Sequence, residues 1–163
     1  SIFAETIKAI RNKMADACVE VLIPDFQGSR DALHTVLRAK PDVLNHNIET
    51  VPRLYRRVRP QAIYRRSLDI LDWAHEFDPE LPTKSGLMLG LGEKQIEVEQ
   101  TLEDLIAAGC RILTLGQYLQ PSKNHLPVER FRKRLGSSRA TQCMPSGWAK
   151  IFPPSSDSFW AAN

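Results

Sequence analysis

Apolar residues follow two different spacings along the chain. At the start, Phe3, Ile7, Ile10 and Met14 recur every three or four residues, which predicts an amphipathic helix. From residue 18 onward, short continuous apolar stretches that suit β-strands alternate with longer stretches of helical spacing. The predicted strands are residues 18–26, 41–50, 81–93 and 110–121.

A helical segment follows each of the first three predicted strands. Residues 29–39 place Leu33 and Leu37 on one face behind Ser29, a residue type that favours helix N-caps. The third segment ends before Gly109, where a left-handed C-terminal cap is expected. The predicted buried stripes are Tyr64, Leu68, Leu71 and His75 in residues 61–77, and Val98, Leu102, Leu105 and Ile106 in the third segment.

Strands that are apolar on both faces and alternate with helices are typical of a parallel sheet with crossover helices. The predicted fold class is therefore α/β. Four strands are too few to close an eight-stranded barrel, so the repeat fits a partial barrel or an open sheet. In both architectures, ligands bind at the carboxyl ends of the strands.

Composition narrows the class of protein. The chain has 163 residues, of which 42% are hydrophobic and 25% charged, and its net charge is +3. These values are typical of a soluble globular domain and predict neither a nucleic-acid nor a membrane partner. Without an apolar run of about 20 residues or a secretory signal, a cytoplasmic location is expected, or an organelle matrix in a eukaryote. Because Ser1 leads directly into the first helix, the chain is expected to be part of a longer one.

The cysteines and the last residues give weaker signals. Cys18, Cys110 and Cys143 lie far apart and lack metal-site spacing, and we expect the first two to be small core residues. From residue 132 onward, no period remains, so the chain divides into a domain of residues 1–131 and an irregular, disordered segment of residues 132–163.

One polar cluster, the stretch NHNIET, forms the carboxyl end of the second predicted strand. Its Asn45, Asn47 and Glu49 supply acceptors that suit ribose hydroxyls or an amino group. His46 could act as a general base, but strand alternation points its side chain away from its neighbours. A hydrogen-bonded structural role is therefore favoured for His46.

The stretch KSGLMLGLGE forms the third predicted strand and its end. Gly86 predicts a neighbour that leaves no room for a Cβ, and Gly90 would let the backbone approach a flat ligand. Glu93 would begin the next helix, where the helix dipole favours a carboxylate. The dinucleotide motif G-x-G-x-x-G is excluded because its third glycine is missing. Lys84 could form a Schiff base, but a residue at the start of a strand faces away from the ligand-binding edge.

At the carboxyl end of the fourth predicted strand, the stretch GQYLQP offers amides and an aromatic ring. Gln117 and Gln120 carry donors and acceptors, and Tyr118 carries the ring. Such a loop can hold an adenine between apolar surfaces while polar groups contact its edge.

Over residues 3–131, the chain resembles lipoyl synthases, a family of radical S-adenosylmethionine enzymes. The stretches that carry the resemblance are EVLIPDFQG, DVLNHNIETVPRLY, TKSGLMLGLGE and ILTLGQYLQPSKNHLPVERF. The resemblance implies the C-terminal portion of a partial (β/α)6 barrel. It also implies S-adenosylmethionine and two 4Fe-4S clusters as cofactors. In that family, a 5′-deoxyadenosyl radical removes hydrogens from a protein-bound octanoyl chain, and the second cluster supplies the sulfur atoms inserted at C6 and C8.

The resemblance also assigns site residues. Gly86, Gly90 and Glu93 match the G-x-I-x-G-x-x-E pattern that lies beside the adenine in the superfamily. The segment expected near the ribose and methionine contributes Asn45, Asn47 and Glu49, and the last-strand loop expected near the nucleoside contributes Gln117, Leu119 and Gln120. The implied partners are an octanoylated carrier domain, from a 2-oxoacid dehydrogenase E2 or the glycine cleavage H protein, and a reductant such as ferredoxin or flavodoxin.

The chain departs from the family in two respects. The C-x3-C-x2-C motif and the second cysteine triplet are absent, so the cluster ligands are expected upstream and the chain alone is expected to be inactive. The resemblance ends at Phe131, as a shifted reading frame would produce. Two other hypotheses stay open: a small α/β aldolase or isomerase that uses Lys84 or His46, and a non-catalytic remnant domain.

Overall fold

A computed structural model of the chain describes residues 1–131. The elements are α1 (Ile2–Lys13), β1 (Glu20–Leu22), α2 (Arg30–Leu37), β2 (Val43–Asn45), α3 (Tyr55–Val58), α4 (Tyr64–Phe77), β3 (Thr83–Leu89), α5 (Gln95–Ala107) and β4 (Ile112–Gln117). Short 3-10 turns occupy Phe26–Gly28 and Pro52–Leu54. The prediction for residues 132–163 lies outside the described part of the chain.

The strands form one parallel sheet in the order β1-β2-β3-β4. Asn45 pairs with Leu22 on one side and with Lys84 on the other, and Lys84 pairs with Ile112. This arrangement confirms the α/β prediction and matches part of a TIM-like barrel. All four carboxyl ends lie at one edge, which we call the rim: residues 23–29, 46–63, 90–94 and 118–131.

Helices cover one face of the sheet. Val21 and Leu44 pack with α2 and α4 in one core cluster, and Leu87 packs with α4 and α5 in a second. Because side chains alternate along a strand, the opposite face, which we call the inner face, carries a different set of residues. That set includes Glu20, Asn45, Lys84, Gly86 and Gly116.

The predicted ends of two helices are confirmed in detail. Ser29 caps α2, since its hydroxyl oxygen accepts from the backbone N–H of Ala32 at 3.3 Å. Gly109 follows α5 with a φ of 74°, and a Cβ there would lie 2.6 Å from the His75 ring. Glycine at this position therefore serves both the left-handed backbone and the packing against α4.

Two burial predictions were wrong. Cys18 is exposed because β1 begins only at Glu20, which leaves the cysteine in the connection after α1. Ile106 is 72% exposed because Leu105 occupies the buried row of α5 and the next residue turns about 100° away. Cys110 is half-buried, and its burial raises the pKa of its thiol to about 11. The strands are also shorter than predicted, because the polar residues at their carboxyl ends lie in the rim and do not pair with a neighbouring strand as part of the sheet.

Candidate functional site

The backbone around Glu49 is pinned at the rim in an unusual conformation. After β2, the chain leaves the ladder and returns, so that the N–H of Glu49 donates to the Gly86 carbonyl at 2.8 Å. The Glu49 carbonyl in turn accepts from the N–H of Met88 at 2.8 Å. Glu49 has a φ of 65°, which is uncommon for a residue with a Cβ. Such strain is concentrated at functional sites, where the surrounding structure enforces it.

The Glu49 side chain is an acceptor held in a largely buried position. Its Oε2 atom is buried and has no hydrogen-bond partner among the described residues. Burial raises the pKa of the Glu49 carboxyl, although the positive charge of Arg59 and a hydrogen bond from Asn47 act against that rise. Since a buried carboxylate oxygen needs a donor, this atom is suited to a ligand hydroxyl or ammonium group.

His46 lies below the rim, in the interior. Only 1% of the residue is exposed, and its Nδ1 donates to the Ile23 carbonyl at 2.9 Å, since a carbonyl can only accept. Burial lowers the pKa of His46, although the Ile23 hydrogen bond opposes this. The ring is therefore neutral at pH 7 and links β2 to the end of β1, which agrees with the structural role favoured from the sequence.

Three polar side chains form a network on the inner face. The Lys84 ammonium donates to both Glu20 carboxylate oxygens, at 2.8 and 3.0 Å, and the Asn45 amide donates to the same Oε1 at 3.0 Å. Lys84 is 9% exposed and is the second residue of β3, well before the rim. Its amine is thus engaged with a carboxylate, which disfavours Schiff-base chemistry. Asn45 keeps Oδ1 as an acceptor without a partner in the described structure.

Gly86 makes room for Asn47. A Cβ at Gly86 would lie 2.7 Å from the Asn47 Oδ1 atom, so the predicted crowded neighbour is a side chain of the same polar cluster. The Asn47 side chain also acts on Glu49, since it opposes the rise in the pKa of that carboxyl. The glycine therefore sets the position of Asn47, and through it that of the Glu49 carboxylate.

We expect Gly86→Ala to lower the free energy of unfolding by about 1–3 kcal/mol, because the added methyl must displace Asn47. Gly116→Ala is the matched control, since it lies on the adjacent strand and no atom of residues 1–131 lies within 4 Å of its added Cβ. The free energy of unfolding of this control should stay within about 0.5 kcal/mol of the wild-type value. The midpoints of urea denaturation measure the stability of both variants. Equal midpoints would contradict the role of Gly86 in making room for Asn47.

Glu93 holds the turn that follows β3. Its side chain is buried and accepts from the N–H of Gly90 at 2.9 and 3.1 Å and from the N–H of Leu91 at 2.9 Å. Gly90 has a φ of 106°, and a Cβ there would lie 2.5 Å from the Arg130 carbonyl oxygen. Helix α5 begins only at Gln95, so Glu93 shapes the turn before the helix and does not start it.

The loop after β4 folds back over this turn. The N–H of Glu129 donates to the Gly90 carbonyl at 2.8 Å, and the Gln117 amide donates to the carbonyls of Tyr118 and Arg130 at 3.0 and 3.3 Å. Tyr118 is buried, with its hydroxyl donating to Leu126 O at 2.8 Å, so its ring packs inside the loop and is not open to a ligand.

At the tip of the loop, the side chains face solvent. Leu119 is 66% exposed, and the amide of the exposed Gln120 donates to the His125 carbonyl at 2.8 Å.

The structure thus sorts the nine predicted site residues into three groups. Asn47, Glu49 and Gly86 meet at the rim with Asn45 nearby on the inner face, whereas Gly90, Glu93 and Gln117 form the adjoining turn. Leu119 and Gln120 lie at the tip of the β4 loop. Which of them touch a cofactor stays a prediction.

Sequence reasoning missed Arg59 and Glu20. The Arg59 guanidinium donates to the Asn47 carbonyl at 2.9 Å, but only because α3 folds back over the rim. Glu20 joins Asn45 and Lys84 through strand pairing. Neither contact has a local spacing signal, although the charged Glu20 within an apolar strand was a visible irregularity.

Residues 1–131 lack the side-chain grouping of a metal site and a helix of membrane-spanning length. That part of the chain has no group of three or more His, Cys, Asp or Glu residues that could hold a metal ion, so it does not fit an iron–sulfur cluster. Within the same residues, no helix is long and apolar enough to cross a membrane.

Comparisons with known proteins agree with this architecture. The model of the Radical SAM superfamily matches residues 2–105. The lipoyl synthase of Rubrobacter xylanophilus is 58% identical over 131 residues, which cover 80% of this chain and 41% of that protein. The lipoyl synthase of Chlorobium chlorochromatii is 58% identical over 126 residues, which cover 77% of this chain and 43% of that protein. The lipoyl synthase of Geotalea uraniireducens is 52% identical over 130 residues, which cover 80% of this chain and 46% of that protein.

This chain therefore spans less than half the length of these three lipoyl synthases. The family model matches residues 2–105, the strands form a parallel sheet, and the lipoyl synthase of Rubrobacter xylanophilus is 58% identical over 131 residues. The chain therefore belongs to the radical SAM superfamily.

Proposed function

We propose that this chain is part of a lipoyl synthase, whose whole protein inserts two sulfur atoms into a protein-bound octanoyl chain, and that it contributes one wall of the S-adenosylmethionine site. The unpartnered Glu49 Oε2 atom at the rim carries this proposal. The 58% identity to the lipoyl synthase of Rubrobacter xylanophilus supports the choice of reaction.

The donor and acceptor chemistry of the rim fits S-adenosylmethionine. That molecule has ribose hydroxyls and an ammonium group that donate hydrogen bonds, and Glu49 Oε2 and Asn45 Oδ1 are acceptors that lack donors in the described structure. A carboxylate is also attracted to the positive sulfonium centre. When bound and reductively cleaved, S-adenosylmethionine supplies the hydrogen-abstracting chemistry of this superfamily.

The protein's own residues orient that ligand. Asn47 is fixed between Gly86 and Glu49, and Glu93 and Gly90 set the turn at the end of β3 where the adenine is proposed to lie. The iron–sulfur clusters implied by the family do not fit the described residues, so no step is assigned to this chain through them. The octanoylated carrier domain and a ferredoxin or flavodoxin reductant belong to the same proposal.

A chimaera tests the proposal. Replacing the matched segment of the Rubrobacter xylanophilus lipoyl synthase with that of this chain should give a protein that forms lipoyl product on an octanoylated carrier after anaerobic cluster reconstitution. The same protein with the segment deleted, and this chain alone, should give none. A folded, cluster-loaded chimaera without product would contradict the proposal, and so would product from this chain alone.

The two other hypotheses make different predictions. An aldolase or isomerase would act without iron, but Lys84 is paired with Glu20 and His46 is buried, so neither is placed to meet a substrate. A non-catalytic remnant domain would fold within the chimaera but would not support its activity.

A further inference from the structure

Exposed charges at the rim are strongly unbalanced. Asp25 is half-buried against Arg66, and Glu49 and Glu93 are withdrawn from the surface, which leaves Glu129 as the exposed acid of the described rim. The exposed cations of the same rim segments are Arg53, Arg56, Arg57, Lys94, Lys123 and Arg130. The mouth of the proposed site is therefore surrounded by positive charge.

The centre of this charge is an arginine-rich segment without acids. Residues 50–68 contain six arginines and no aspartate or glutamate. Three of them, at the ends of the segment, pair with carboxylates outside the segment, and Arg59 donates to the Asn47 carbonyl. Arg56 and Arg57 are exposed and have no ion-pair partner among the described residues.

The two arginines are held in place by a buried anchor. Leu54 and Tyr55 are 1% and 5% exposed, and the Tyr55 hydroxyl donates to the Ile48 carbonyl at 2.7 Å. Arg53 reaches across the rim and donates to the Gly92 carbonyl at 2.9 Å. Arg56 and Arg57 thus lie exposed on a short helix that is fixed beside the Glu49 segment at the rim.

We propose that this cationic rim, centred on Arg56 and Arg57, docks the acidic face of the protein carrier that brings the acyl chain. The inference rests on the proposed function, in which the acyl group arrives on a folded protein that must approach this edge of the sheet. S-adenosylmethionine does not explain a positive surface of this size, since the charge of its single carboxylate is outweighed by its sulfonium and ammonium groups, which arginine repels.

The test measures equilibrium binding of this chain to an octanoylated lipoyl carrier domain by fluorescence anisotropy. We expect Arg56→Glu/Arg57→Glu to weaken binding about tenfold or more at 20 mM salt, and about threefold or less at 300 mM, because rim charges are screened. The control Lys8→Glu/Arg38→Glu makes the same charge change at exposed positions away from the rim, and should leave the affinity unchanged.

Several results would overturn the proposal. These are the absence of carrier binding, equal weakening by the control pair, and full affinity of the rim variant. Tighter, Arg56- and Arg57-dependent binding of a flavodoxin or of single-stranded DNA would assign the surface to a different partner. Activity of the chimaera on a short uncharged octanoyl-lysine peptide reports the proposed function separately, because that substrate has no acidic face to dock.

Discussion

Replacing Glu93 with alanine is expected to lower the free energy of unfolding by about 3–5 kcal/mol. The buried carboxylate accepts from the N–H groups of Gly90 and Leu91, and its loss leaves both donors without that partner. A hydrogen bond to a charged group contributes about 1.5–3 kcal/mol, and an unsatisfied buried donor adds a desolvation cost. Urea denaturation of this chain followed by circular dichroism measures the change.

Two further variants test whether the Glu93 carboxylate is the cause of that loss of stability. Glu93→Gln keeps the shape but removes the charge and one acceptor oxygen, so it should lose most of the same stability. Glu99→Ala removes an exposed glutamate of α5, which among the described residues accepts only from the Gln95 side chain, and should lower the free energy of unfolding by about 0.5 kcal/mol or less. If Glu93→Gln were as stable as wild type, the carboxylate would not be what holds the turn.

Glu93 also shows how far the sequence could be interpreted. Its position after a glycine-rich strand predicted a residue that begins the next helix, whereas it lies in the turn two residues before α5. Its contact with the backbone three residues earlier could not be predicted, because it depends on the positive φ of Gly90. The packing of residues 129–130 against that glycine depends on tertiary structure that has no local sequence signal.

The elements themselves were largely predictable. Apolar spacing located every strand and the long helices, since burial on a sheet or a helix face imposes a period on the sequence. It missed α3, which has four residues and no period of its own. That omission concealed Arg59, and with it the positive charge beside Glu49.

For the candidate site, the sequence indicated the residue types at the strand ends, and strand pairing brought them together. Gly86 was predicted to accommodate a neighbour, but that this neighbour is Asn47 follows from the register of β3 against the segment after β2. The network of Glu20, Asn45 and Lys84 arises in the same way, across three strands. Pairings between distant strands are what a single sequence does not reveal.

Replacing Glu49 with glutamine is expected to change stability and ligand binding in opposite directions. In the chimaera, S-adenosylmethionine should bind about 10–100 times more weakly, because an amide cannot replace a charge-assisted acceptor worth about 1.5–3 kcal/mol. In this chain alone, the variant should be more stable than wild type at neutral pH, because burial disfavours the ionised form of Glu49.

The pH dependence identifies the cause of that stability difference. The pKa of Glu49 is raised in the folded state, so above the unfolded value of 4.5 the folded chain binds more protons than the unfolded chain, and stability falls as pH rises through the raised pKa. Glutamine does not titrate, so the stability advantage of the variant should grow from pH 4.5 upward and then level off. Thermal melts at a series of pH values measure it. A difference that is constant with pH, or S-adenosylmethionine binding that the substitution leaves unchanged, would show that Glu49 is not the desolvated acceptor of this site.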